Sequence, residues 1–167
     1  MSLDKVVHRL PAPTSVVECK NMCDEVSIDY MHSLQKQCKN VRASKNPMNV
    51  SIERWDMPRV VCSCAKPGKG IISRDCCRAT IKAKNCHKKL KEVLPGPLDS
   101  GYPPKGMGIP ARGFRVGHCA EPHAANTLLR ETNCNVSQIV FGTAICTEDG
   151  SPRPACITCK ATFKQLR

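Results

Sequence analysis

Two short cysteine-bearing stretches constrain this chain more than any other feature. In Gly117-His118-Cys119-Ala120-Glu121-Pro122-His123-Ala124-Ala125 a glutamate follows a cysteine by two residues, and Pro154-Ala155-Cys156-Ile157-Thr158-Cys159 is a proline-led opening onto C-x-x-C. Each stretch reads as a helix start. Pro122 falls in a first turn, where its missing N–H is no loss, and Cys156 and Cys159 are three apart, which puts both sulfurs on one helical face. An apolar run from Val136 to Ile145 separates the two stretches. A fold that brings both helix N-termini to one place gathers three thiols and one carboxylate. Helix N-termini carry positive partial charge, which favours the thiolates a metal needs. Three such ligands suit Zn²⁺ with a fourth position left for water, and a carboxylate beside them can move protons. C-x-x-C alone means little among 13 cysteines; its order and context beside C-x-E carry the weight.

The pairing of Cys119-Ala120-Glu121 with Pro154-Ala155-Cys156-Ile157-Thr158-Cys159 resembles the signature of the zinc-dependent nucleobase deaminases, H-x-E followed by P-C-x-x-C, in which three cysteines are a known ligand variant. Within that superfamily it is most similar to the YwqJ-like, toxin-type deaminases. The resemblance spans roughly residues 114–167. It implies zinc held by Cys119, Cys156 and Cys159, and hydrolytic deamination with Glu121 carrying protons between water, the ring nitrogen and the leaving amine. It also implies that the backbone at Ala120 orients substrate, that cytosine is the favoured base, and that a toxin or effector role comes with a neutralising protein. His118 and His123 are rival ligands to Cys119. However, Glu121 lies three residues from His118, and Ala125 stands where His123 would need the glutamate. Two departures stand out: one residue intervenes between Pro154 and Cys156, and the chain ends eight residues after Cys159.

The remaining composition frames this reading. Twenty-six Lys and Arg against 14 Asp and Glu give a net charge of +12, which favours polyanions, nucleic acid first. If three cysteines hold zinc, the other ten form an even set compatible with disulfides, buried thiols or a second metal site. Cys62, Cys64, Cys76, Cys77, Cys86 and His87 fit no common finger spacing, and Cys134 and Cys146 read as structural. Residues 1–15 hold no signal-peptide core, and no uninterrupted apolar run is long enough to cross a membrane. Cysteine content keeps secretion open. Asn49-Val50-Ser51 and Asn135-Val136-Ser137 are sequons that matter only there.

Read in order, the chain starts with a proline-containing arm over 1–14, followed by a helix over 16–41 with Cys19 and Cys23 on one face. Trp55 is expected in the core or at a helix end. A strand over 59–64, a Gly-rich turn over 66–70 and a return at Ile71-Ile72 make a hairpin. A lysine-rich helix is expected from Ser73 to Pro95, either tracking a phosphate backbone or presenting a solvated face. Residues 95–110 form a loop placed to wall a pocket, and 113–116 a short strand. Tyr102, Phe114, Arg115 and His118 are the expected rim, the aromatics for stacking on a base and Arg115 for phosphate. A helix over 120–132, the strongest strand of the chain over 136–145, buried on both faces, a charged turn over 147–153 and a helix over 155–166 complete the pattern.

The expectation is one α/β domain over 1–167, with a mixed sheet of three to five strands of cytidine-deaminase type. Residues 1–95 would form a cysteine-rich, basic, mainly helical portion and 96–167 the catalytic core. The expected activity is zinc-dependent deamination of a base, cytosine to uracil, in DNA or RNA. Its competitors are a free-nucleoside deaminase, a nucleic-acid-binding module with a purely structural zinc, and a disulfide-stapled interaction protein.

Overall fold

A computed structural model describes residues 4–44, 57–98 and 116–167, with side chains over 4–37 in the first segment. Trp55, the sequon at Asn49, the side chain of Cys38, Tyr102, Phe114 and Arg115 lie outside the described residues. The described chain is α/β: a five-stranded sheet between helices.

The hairpin is the centre of the sheet. β2 (Val60–Ala65) and β3 (Ile71–Cys76) are joined through a turn at Lys66–Gly70, where Gly68 takes the left-handed φ of +83°. They pair antiparallel from Val61↔Cys76 to Ala65↔Ile72. β1 (Val6–His8) adds to the far side of β3, and β4 (Val140–Phe141) and β5 (Ile145–Cys146) both lie on the other edge of β2. Every pairing is antiparallel, so the expected mixed sheet is corrected. β3 and β4 run parallel only across the intervening β2.

Side chains of β2 alternate between two cores, as the period of two requires. Cys62 and Cys64 join the core of helix α3 (Ala120–Thr132), with Ala124, Ala125, Leu128 and Leu129. Val61 and Ala65 face helix α1 (Val16–Ser44), meeting Tyr30, Met31 and Leu34 at one end and Cys19, Cys23 and Val26 at the other. The sheet is therefore covered on both faces, and β2 is its buried strand.

Tertiary pairing reshapes four stretches of the chain. First, the helix over 73–95 does not form. Ser73–Cys76 complete β3, a 3₁₀ turn follows at Ala83–Asn85, and only Lys88–Val93 (α2) is α-helical. Asp75, expected in a first helical turn, is instead fully buried on the sheet, bound to Lys5 and Arg78. Second, residues 1–95 carry β1, β2 and β3 beside the helices α1 and α2. Third, the run over 136–145 is not a continuous central strand. Asn135 and Gln138 cap a 3₁₀ turn at Val136–Gln138, and residues 142–144 interrupt the strand between β4 and β5, with Gly142 N still donating to Ser63 O of β2 at 2.9 Å. Gly142 sits there because the backbone touches α1: a Cβ would lie 2.8 Å from Cys23 Cβ, and Asp24 accepts from Thr143 N at 2.7 Å. Fourth, the last helix, α4, covers only Ile157–Thr162. Phe163 is extended and fully buried, its ring 4.8 Å from that of Phe141, and a 3₁₀ turn at Lys164–Leu166 follows. Helix α3 spans the expected residues 120–132 and closes on Asn133 in the left-handed region, whose N–H reaches Leu129 O at 2.7 Å.

The twelve described cysteines are all free thiols, and most are buried. No described helix is long and apolar enough to cross a membrane.

Candidate metal centre

The N-termini of α3 and α4 meet at their cysteines. Cys119 and Cys156 are their N-cap residues, with nearly the same extended backbone: φ −71°, ψ 164° and φ −72°, ψ 168°. Their sulfurs are 3.3 Å apart, and the sulfurs of Cys119, Cys156 and Cys159 all fall within 4.8 Å of one another. Cys119 and Cys156 are half-buried at the mouth and Cys159 is buried beneath them. Sulfurs bound tetrahedrally to one zinc at about 2.3 Å stand about 3.8 Å apart, a spacing these three bracket. The donor set therefore fits zinc. It is the one converging group of three ligating side chains among the described residues. The alternative around Cys62, Cys64, Cys76 and Cys86 is split between opposite faces of the sheet.

Of the three thiols, Cys156 is the one held below its ordinary range. Its thiol is held down at about 3, chiefly by the hydrogen bond from Cys119, then by Cys159 and the backbone N–H groups of Cys159 and Thr158. Cys159 N donates to the Cys156 sulfur at 3.4 Å, the role of a capping acceptor at a helix start. Hydrogen bonding to Cys156, then burial, push the Cys119 thiol up, opposed by Cys159, and hydrogen bonding to Cys119 and Cys156, then burial, push up Cys159.

Glu121 lies in the first turn of α3, only 5 % exposed. Burial raises its carboxyl to about 7, opposed by its own backbone N–H and reinforced by Cys156. Behind it on β2, burial drives the Cys62 thiol well up, and Glu121 adds to the shift.

Several side chains missed by the sequence reading hold this corner. Arg78 N donates to His118 O at 3.2 Å and Ile81 N to Gly117 O at 3.1 Å, so the segment after β3 fixes the turn that delivers Cys119. Gly117 has φ +73° there, a conformation that favours glycine. Arg78 is in turn held by Asp75, bidentate at 2.7 and 3.1 Å. Ser73 Oγ donates to Ala124 O at 2.7 Å, tying α3 to β3. His123 Nε2 donates to Ala79 O at 3.1 Å; burial, reinforced by Arg78, holds this imidazole down at about 4. The i, i+3 spacing of Asp75 and Arg78 was visible in sequence but reads equally well as a helical pair.

His123 thus faces the 78–81 segment, and neither it nor His118 belongs to the sulfur cluster. His118 is exposed in the turn before Cys119, and Ala120 is the buried first residue of α3. Tyr102, Phe114 and Arg115, expected at the rim, lie outside the described residues.

Comparison with protein-family models, with curated proteins and with solved structures finds no match to this chain.

Proposed function

We propose that this protein is a zinc-dependent hydrolytic deaminase of nucleobases, converting cytosine to uracil in DNA or RNA, in a fold of cytidine-deaminase type. One observation carries the reading: three cysteine sulfurs converge at two helix N-termini with a buried glutamate two residues after the first of them. The antiparallel hairpin at the centre of the sheet, packed against the helix that bears Cys119 and Glu121, supports it further. The resemblance to toxin-type deaminases extends the proposal to an effector role with a neutralising protein.

Cys119, Cys156 and Cys159 would hold the metal through their Sγ atoms. When bound, zinc supplies the Lewis acidity that makes water a nucleophile near neutral pH. The carboxylate of Glu121 takes a proton from that water, delivers one to the ring nitrogen and assists departure of the exocyclic nitrogen. The water oxygen ends as the carbonyl oxygen of uracil, and the amine leaves as ammonia. Backbone N–H groups in the first turn of α3, Ala120 among them, lack partners within the helix and are available to orient substrate. Burial of Glu121 and Cys159 keeps bulk water from the base of the site.

The test is a substrate panel on protein of measured metal content: single-stranded DNA, duplex DNA, RNA and free nucleosides, read by sequencing and by ammonia release, with Glu121→Gln in parallel. Conversion by the native chain and none by a variant that keeps its zinc is the expected result. A zinc-loaded native chain that converts no polymer and no nucleoside overturns the proposal and leaves a structural zinc.

A further inference from the structure

The segment that follows β3 is tied along the length of α3. Gly117 O and His118 O accept from residues 81 and 78 at one end. At the middle, Asn126 accepts from His87 N at 2.7 Å and donates to Asn85 O at 3.0 Å. At the far end, Lys89 Nζ reaches Asn133 O at 2.6 Å. The segment therefore begins at the turn before Cys119 and runs beside the 13-residue helix to its C-terminus, about 20 Å at 1.5 Å per residue.

This segment is strongly one-signed. Arg78, Lys82, Lys84, Lys88, Lys89 and Lys91 stand against a single acid, Glu92, over residues 78–92. All but the half-buried Lys89 are exposed. Three cations elsewhere sit beside carboxylates, Lys5 with Asp75, Arg9 with Asp29 and Lys20 with Asp24, and within the segment Arg78 pairs with Asp75. Among the described residues Lys82, Lys84, Lys88 and Lys91 have no such partner. No Phe, Tyr or Trp occurs between residues 78 and 98, so this surface offers charge and no aromatic stacking.

We propose that residues 78–91 form a phosphate track that leads a single nucleic-acid strand along α3 to the cysteine cluster. It rests on the deaminase reading only for what happens at the site end. The track is long enough to face about six phosphates at the ~3.4 Å spacing of a stacked strand. With charge and no stacking platform, binding is led by the backbone, tolerant of sequence and steeply dependent on salt.

The test is binding of fluorescein-labelled dT12 and rU12 by anisotropy across a salt series. Neither probe holds cytosine or adenine, so binding is read independently of turnover, and failure of the deaminase reading leaves this result intact. The track variant carries Lys82→Gln, Lys84→Gln, Lys88→Gln and Lys91→Gln. The control carries Lys20→Gln, Lys36→Gln, Lys66→Gln and Lys69→Gln, with the same net charge. Losing four phosphate contacts flattens the log–log salt slope by about 2 to 3. The expected result is that flattening, with affinity at least tenfold weaker at low salt, in the track variant alone. A preference for dT12 or rU12 assigns DNA or RNA. Equal weakening of both variants, unchanged binding by the track variant, or no binding by the native chain overturns the proposal.

Discussion

Replacing Asp75 with asparagine tests the framework that holds the metal centre. The Asp75 carboxylate is fully buried and accepts from Lys5 Nζ at 2.9 Å, from Arg78 at 2.7 and 3.1 Å, and from Cys76 N at 2.8 Å. Asparagine keeps the shape and one oxygen, but turns an amide NH₂ toward the cations. Breaking a buried pair by removing one partner costs roughly 3–5 kcal/mol. The side chains of Lys5 and Arg78 are 35 % and 45 % exposed, so both cations regain some hydration and the lower end applies, about 3 kcal/mol. For a chain of this size 1 kcal/mol moves the thermal midpoint by about 2–4 °C, so Asp75→Asn is expected to melt roughly 6–12 °C lower. The assay is thermal and urea denaturation of zinc-loaded protein. Asp29→Asn serves as control, because the Asp29–Arg9 pair is 3.8 Å apart and exposed; its midpoint moves by no more than about 2 °C. Because Arg78 N holds His118 O, Asp75→Asn also releases zinc to a chelator faster. A midpoint for Asp75→Asn within about 1 °C of the native chain refutes the argument.

The neutral, buried state of His123 gives a pH signature. Its imidazole sits at about 4 when folded against an ordinary value of 6.5, so its contribution is fully present above pH ~6.5, is lost as pH falls toward 4, and is flat below. That interval corresponds to about 3 kcal/mol, and the difference in stability between His123→Gln and the native chain is expected to change by that order across this window. An NMR titration showing His123 protonating near 6.5 in the folded chain would sink this. For the metal centre, Cys156→Ser removes the thiol held below its ordinary range, and zinc measured by a chromophoric chelator is expected to fall from one per chain toward none. Stripping zinc from the native chain lowers its stability by up to about 4 kcal/mol relative to zinc at a thousandfold excess over Kd. A chain whose metal content and melting are indifferent to Cys156→Ser would show that the sulfur cluster holds no metal.

Much of the metal corner was legible in the residues. Cys119, Cys156, Cys159 and Glu121 stand out because cap-compatible residues and a first-turn proline mark two helix starts, and such signals are local. Helix α3 kept its expected ends for the same reason, with Asn133 as its left-handed cap. The region over 73–95 was not legible. Its lysines and scattered apolar residues satisfy a helical pattern, and only pairing with β2 decides that Ser73–Cys76 belong to the sheet. The run over 136–145 misled in the opposite direction. Its hydrophobicity is that of a central strand, yet Gly142 and Thr143 contact α1 where the strand is interrupted between β4 and β5.

The sequence by itself determined which groups are chemically able to act together: three thiols and a carboxylate at helix starts, in a basic chain. Tertiary structure alone decided that the sulfurs lie within 4.8 Å of one another, that Asp75 and Arg78 brace the turn before Cys119, and that residues 78–89 are tied beside α3. Capping and periodicity act over a few residues and can be read along the chain. Sulfur clusters, buried ion pairs and charged tracks depend on which distant segments share the two faces of one sheet, and that is fixed only when the core packs.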